Sequence, residues 1–477
     1  MSTFSGLEIA KRALFAQQAS LYTTGHNIAN ANTPGYSRQR VNLEATSPYP
    51  YPSVSNGGQA GQVGTGVVGS SIERLRERFL DLQYRGIYKD VGEHEARADA
   101  LEKVEIIMNE PSDKGFRYVM DEFWNSWQKV SQPSAEYPTR ETVIQKGKAL
   151  AETFNAMDRE LKELQQDFDE QIKTRAGQLD TLVKEIASLN KQIGELVPHG
   201  YVPNDLYDKR DLLVDKLSKM FDIDVETVAI DVQGKKVDGA VNIKLKQPSV
   251  DLVTGNIAAD ISAEPAAAPS DKLANGNTRH VLNIGGTVLD AANSPVGGEI
   301  SGLMQSRDTA ISSYINKIDT LASNLIKEVN AAHGKNFFSG TGARDIGVAI
   351  SDPNDVANNS GEPGNNDIAK AVYALKHKSV TFTVGGNNTS TTFDEFTRSI
   401  VSTLGNETEA AQNSRENAIL ITKQIDMSRQ SISGVSPDEE MSNMIKFQHA
   451  YNAAARTVTV IDEMLDKVIN GMGVVGR

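Results

Sequence analysis

The sequence predicts a mixed, mainly α fold: terminal coiled-coil helices joined to a long-helix bundle with inserted β-rich segments. Three observations carry this. Apolar residues recur in alternating steps of three and four at both chain ends and through much of the middle. One stretch, residues 222–298, switches to strand-like alternation. The 477 residues exceed the usual ~100 to 200 of one domain, so several units with their own cores are expected.

At the N-terminus Leu7, Leu14, Leu21 and Ile28 recur every seven residues, with Ala10 between them, and draw a seam along a helix over 4–30. The run NANTPGY ends it, because Pro34 biases Thr33 away from helix and Gly35 permits a positive φ. Residues 45–70, rich in Pro, Gly, Ser and Tyr, read as extended chain, and helical character resumes near Ser71. From Leu150 to Leu196 coiled-coil spacing runs through Phe154, Met157, Leu161, Leu164 and Phe168, then Leu179, Leu182, Ile186, Leu189 and Ile193. Arg175 on the seam and Gly177 suggest a register shift between the two halves. Pro198 to Pro203 stops this helix, and Asn204 is placed to cap the next.

VETVAIDV, VNIKLKQ and VLNIGG make 222–298 a β-rich unit. Helical spacing returns at Ile311, Tyr314, Ile318, Leu321 and Leu325, so this helix can lie against the first long one. A mixed stretch follows, with SVTFTV and an Asn- and Thr-rich turn GGNNTSTT, before another helical run. In the last helix Met444, Phe447, Tyr451, Ala454, Val458, Ile461, Leu465 and Val468 hold every seam position over about 37 Å. At ~1.5 to 3 kcal/mol per buried large apolar side chain, such a seam demands a partner. The other unpaired heptad helix lies at the opposite terminus, so the chain ends are expected to meet. The expected domains are residues 1–50 with 431–477 as a terminal helical assembly unit, 51–221 with 299–430 as the long-helix bundle, and 222–298 as a β-rich insertion.

The composition argues against several function classes. Net charge is −13, spread without a basic stripe, so nucleic acid is not an expected partner. Without any cysteine there are no disulfides, thiolate metal sites or cysteine nucleophiles. No run approaches the ~18 apolar residues of a membrane span, and Glu8, Lys11 and Arg12 interrupt any signal-peptide core. The seven histidines make no metal-binding spacing, so no metal and no cofactor is expected. Gly64, Gly66 and Gly69 match a dinucleotide fingerprint but lack the preceding apolar strand. Asp352, Asn354 and Asp355 lack the glycine of a calcium loop. Asp205, Asp208 and Asp211 share a helix face, read with Lys209 and Arg210 as a solvated, paired surface, and His26 reads as a polar surface or inter-subunit contact. No catalytic residue is expected.

Asn27 to Val41, NIANANTPGYSRQRV, resembles the N-terminal signature of the flagellar axial proteins, the family of rod, hook and hook-associated subunits, with Asn30, Thr33, Pro34, Gly35 and Tyr36 at its centre. YSRQR, the segment PNDLYDKRDLLVDKLS and the closing SGVSPDEEMSNMIKFQHAYNAAARTVTVIDEMLDKVIN are similar to the hook-associated junction branch. The resemblance implies a structural subunit between hook and filament, with the terminal seam residues as an assembly interface in an inner tube. It implies as partners the hook protein, a second hook-associated junction protein, further axial copies and a helical export chaperone. It also implies an extracellular place in the flagellum, reached through the flagellar secretion channel without a cleaved signal peptide. The alternatives are a hook or distal rod protein, or a secreted enzyme or adhesin on the same scaffold.

Overall fold

The computed structural model describes residues 3–49, 64–108, 115–132, 137–232, 235–268, 271–290, 296–356 and 366–471. The described chain is 66% helical, which makes the fold mainly α with inserted β segments.

The chain opens with helix α1 (Thr3–Ala29). It turns through Gly35, whose φ of 80° suits glycine, and enters strand β1 (Gln39–Ala45), antiparallel to β2 (Val67–Arg74). Ser71 is therefore in a strand, and helix resumes only with α2 (Arg78–Met108). Most of the expected extended segment, residues 50–63, lies outside the described residues.

After α3 (Phe116–Val130) comes α4 (Tyr137–Leu196), unbroken over 60 residues. The anticipated register shift is absorbed without a break: Ile172 and Ala176 take the seam between Phe168 and Leu179, which leaves Arg175 off it. Two successive steps of four shift the stripe, as an eleven-residue repeat does. Helix α5 (Asn204–Met220) has Pro203 rather than Asn204 as its cap residue.

The β-rich unit is a four-stranded sheet of β3 (Ile223–Val232), β4 (Lys235–Leu245), β5 (Asp251–Thr254) and β6 (Ile257–Ala258), with a three-stranded one of β7 (Ile261–Pro265), β8 (His280–Ile284) and β9 (Thr287–Leu289). Both lie against α4. Buried Asn190 on α4 holds the first sheet by bonding Val241 N and O and Gly255 O. Buried Asp169 holds the second through His280 and Arg307.

Helix α6 (Gly298–Gln305) runs through a π-turn at Ser306–Ile311 into α7 (Ser312–His333), which packs on α4. The small pair β10 (Phe338–Ser339) and β11 (Gly347–Val348) and helix α8 (Asp367–Ala374) follow. NNTST, read as part of a turn, is instead strand β13 (Asn387–Thr391), paired with β12 (Val380–Val384) around Gly385 and Gly386. Helix α9 (Phe393–Ser433) returns antiparallel along α2, and α10 (Pro437–Gly471) ends the described chain.

Alongside a small second cluster at Ile193, Val197 and Tyr207, a large core runs through the helices and sheets from α2 to α9. Its aromatic centre is Phe123, Trp124, Trp127, Phe337, Phe338 and Phe393, with rings 4.8–6.4 Å apart. Gly92 of α2 brings that helix against the last turn of α5: a Cβ there would stand 2.2 Å from Lys219 O. That contact fixes the helix on which the site below is built.

Candidate functional site at the base of the terminal helices

Helices α1 and α10 pack lengthwise and antiparallel. Asn27 bonds Glu440 near one end and Gly6 touches Ile461 near the other. On α1, Leu7, Leu14, Leu21 and Ile28 are half-buried, while the deepest side chains are small: Ala10, Ala16, Ser20, Thr23, Thr24 and Asn27. On α10 Ile461 is buried; Met444, Phe447, Ala454, Val458 and Leu465 are half-buried; Tyr451 and Val468 are exposed. Around them Phe15, Tyr22, Met441, Ile445, Val460, Met464 and Ile469 lie open to solvent. The pair carries apolar surface well beyond what its own contact covers.

Where α1 ends, the three segments that carry the family likeness come together. Asn27 satisfies all its hydrogen-bonding capacity: Nδ2 donates to Gln39 O and Glu440 Oε2, and Oδ1 accepts from Gln39 N and the Tyr36 phenol. The phenol has one proton, which goes to Asn27, so His26 Nδ1 donates to the phenol oxygen at 2.9 Å. Burial, reinforced by Asp205, Asp208 and Glu440, pushes Tyr36 well above its ordinary pKa and keeps that proton in place. Glu440, 2% exposed, also takes Arg38 at 2.6 Å, and Arg38 reaches Glu439 as well.

Within the N-terminal motif, Asn30 receives the Thr33 hydroxyl and amide, which closes the turn that Pro34 follows. Gly35 has a second reason to lack a side chain, because its Cβ would lie 3.0 Å from Leu212 on α5.

Helix α5 supplies the third part. Ser37 N donates to Asp208, Gln39 to Asp205, and buried Asn204 donates to Ile72 O and Gln39. Arg74 bonds Asp208 and Asp211, both at 2.9 Å. Arg76 chelates Asp81, Arg85 pairs with Asp215, and Arg429 joins Asp81 to Asp215.

Of the acidic face read as solvated, Asp205 is exposed, but Asp208 and Asp211 are largely buried and form their ion pairs with Arg74, Arg76 and Arg85 from distant segments. Burial opposes charge on Asp211, but Arg76, Arg74, Arg85 and Arg210 outweigh it and hold the carboxyl well below the usual range. His26, read as a polar surface or inter-subunit contact, is exposed and lies between Tyr36 and Asp205, the latter at 3.6 Å. Sequence reasoning missed Asn27, Arg38, Arg74 and Arg76. The available signal was Asn204, Asp208, Asp211 and Asp215 in steps of four and three, a polar seam needing cations, with the arginine-rich ERLRER segment to supply them.

These groups form a structural joint between the terminal helices and α5. Among the described residues, no group of three His, Asp or Glu side chains could hold a metal, and no helix is long and apolar enough to cross a membrane. Gly64, Gly66 and Gly69 run into strand β2, where Arg12 bonds Thr65 O, and not into a helix.

Residues 101–346 match the family model for the flagellar hook-associated protein FlgK helical domain. Residues 7–36 match that for the flagella basal body rod protein, and 428–471 that for the flagellar basal body rod FlgEFG protein C-terminal region. Flagellar hook-associated protein 1 of Bacillus subtilis (strain 168) is 37% identical, over the full length of both chains. Its counterpart in Salmonella typhimurium is 23% identical, covering 97% of this chain and 98% of that one. The flagellar hook junction protein FlgK from Burkholderia pseudomallei superposes with a TM-score of 0.60 over 74% of this chain and 100% of its own, at 14% identity, a likeness of fold. With a family model over half its length and a relative at 37% identity throughout, the chain belongs to the flagellar hook-associated protein 1 family.

Proposed function

We propose that the chain works as a structural subunit of the bacterial flagellum at the junction between hook and filament, with the paired terminal helices as its axial interface. The observation that carries this is the α1–α10 pair, with Phe15, Tyr22, Met441, Ile445 and Met464 facing outward from a helix pair already formed. Monomeric proteins seldom leave so much apolar surface open unless another chain covers it. Leu7, Leu14, Leu21 and Ile28 with Met444 to Val468 make up that interface. Its neighbours are the hook protein, the second junction protein and further copies of the chain. Before assembly the same C-terminal seam suits a helical export chaperone, and the subunit travels through the flagellar channel without a cleaved signal peptide. It performs no catalysis: His26, Asp205 and Asp208 are consumed in the joint.

Electron microscopy of a deletion strain tests the reading. Hooks should remain and filaments should be absent, and the wild-type chain should restore them. Loss of the hooks as well would assign the chain to the hook or rod instead. Complementation with Val458→Asp or Ile461→Asp should export normally yet leave hooks bare; retention inside the cell would place the seam's first role in export.

A further inference from the structure

We infer that the carboxylates on α5 and the arginines facing them form a rack of interchangeable ion pairs, along which the terminal arm tilts against the body while every charge stays paired. The arm is α1, β1, β2 and α10. Its elements pack extensively on one another and only sparsely on the body. Two short connectors, residues 75–77 and 434–436, cross between them, and Arg38, at the end of the α1–β1 turn, ties the crossings together by Arg38 N to Ser433 O and Leu75 N to Arg38 O. What holds the arm at its angle is therefore polar.

The pairing is degenerate. Asp208 has Arg74 at 2.9 Å and Arg76 at 3.9 Å. Asp211 has Arg74 at 2.9 Å, Arg76 at 3.4 Å and Arg85 at 3.8 Å. Asp215 has Arg85, Arg429 and Arg76 at 2.6, 2.7 and 3.9 Å, and Asp81 has Arg76 and Arg429 at 2.7 and 3.0 Å. These eight side chains are only 6–14% exposed, so leaving one unpaired is strongly unfavourable.

Two of the arginines, Arg74 and Arg76, move with the arm and its connector; Arg85 and Arg429 stay with the body. When the arm tilts from Asn204 toward Asp215, Arg74 shifts toward Asp211 while one of its amino groups keeps Asp208, and Arg76 moves to Asp215 and Asp81. Arg85 and Arg429 yield shares they already hold. Each guanidinium offers five donors in a planar fork, so it can change carboxylates without losing all contact. The close approach of Gly35 to Leu212, backbone against a flexible side chain, does not oppose the motion. The proposal rests on the junction reading only for its purpose, a subunit that meets neighbours on two sides at differing angles.

The absence of cysteine makes the test direct, since two introduced thiols take spin labels without background. One pair, Lys191→Cys on α4 with Arg456→Cys on α10, spans body and arm; Glu160→Cys with Lys191→Cys, both on α4, is the rigid control. In the isolated chain the arm–body distances should spread over about 5 Å more than the control, one helical step. Asp211→Asn, which removes the carboxylate shared by three arginines, should collapse that spread; Arg76→Lys, which keeps charge but loses the fork, should do the same if the first variant does not fold. An arm–body distribution as narrow as the control overturns the rack, as does a spread unchanged in the variants. Filament attachment in the deletion strain is read separately, so failure here leaves the junction assignment standing.

Discussion

Helices α4 and α10 share one sequence pattern and differ in what it buries. On α4 the apolar seam is sealed: Leu150, Phe154, Leu161, Phe168 and Leu179 are wholly inaccessible. On α10 the corresponding seam keeps Tyr451 at 36% and Val468 at 50% exposed, and only Ile461 falls to 9%. A heptad thus states that a face will be covered, not by what. For α4 the cover is in the same chain; for α10 half of it must come from elsewhere. The largest effect on the isolated chain is accordingly expected in the body. Trp127→Ala removes a side chain packed between Phe123 and Phe337 and should lower stability by ~3 to 5 kcal/mol in urea unfolding. Phe447→Ala on α10 should lose far less. Equal losses would show that the terminal pair is already a closed core.

The joint stands between these regimes, and Glu440→Gln sharpens the contrast. It keeps the shape but leaves Arg38 only exposed Glu439 as a charged partner. Bonds to charged groups contribute ~1.5 to 3 kcal/mol, so amide exchange in the first turns of α10 should quicken while that of α4 is unchanged. Equal quickening in both would mean that arm and body open as one unit.

Much of the fold is legible in the sequence because long helices declare themselves by period. Tyr314, Ile318, Leu321 and Leu325 are read from their spacing and are all buried. What escapes is decided across the chain. Strand β2 lacks strong alternation and exists because it has β1 and α1 to lie on. Asn190 looks like a surface residue in a helix, yet it is buried because strand β4 and the β5–β6 turn bring carbonyls to it. The joint is hardest, since Asn27, Arg38, Asp208 and Glu440 lie up to 413 positions apart. Local reasoning assigns such charges to solvent. Family likeness marks the right segments but does not say that they meet.

A smaller effect should come from pH in the body. Burial against Trp127 and Phe337 lowers the pKa of His333, so the folded chain holds it neutral while the unfolded chain protonates near 6.5. Since the unfolded state then binds more protons, stability is full above that pH and falls as pH drops through 6.5 toward the lowered value. Melting temperature should decline between about pH 7 and 5, and His333→Phe should flatten that decline. An identical slope in the variant would put the titration elsewhere.

The smallest effect tests whether the seam of α10 has two distinct sides. Asp462 and Lys467 are exposed and off the seam, next to positions that are not. In the isolated chain Asp462→Ala and Lys467→Ala should each shift stability by no more than ~0.5 kcal/mol, as surface changes usually do. Alanine is also the better helix former at both positions, by a few tenths of a kcal/mol at most, so any change should favour the helix slightly. Filaments should still attach, because neither side chain belongs to the apolar stripe that neighbours would cover. Stability is read by urea unfolding and attachment by microscopy of the complemented strain. If these two changes strip filaments as thoroughly as Ile461→Asp, the covered face of α10 is not the one its heptad draws, and the axial interface wraps the helix on all sides.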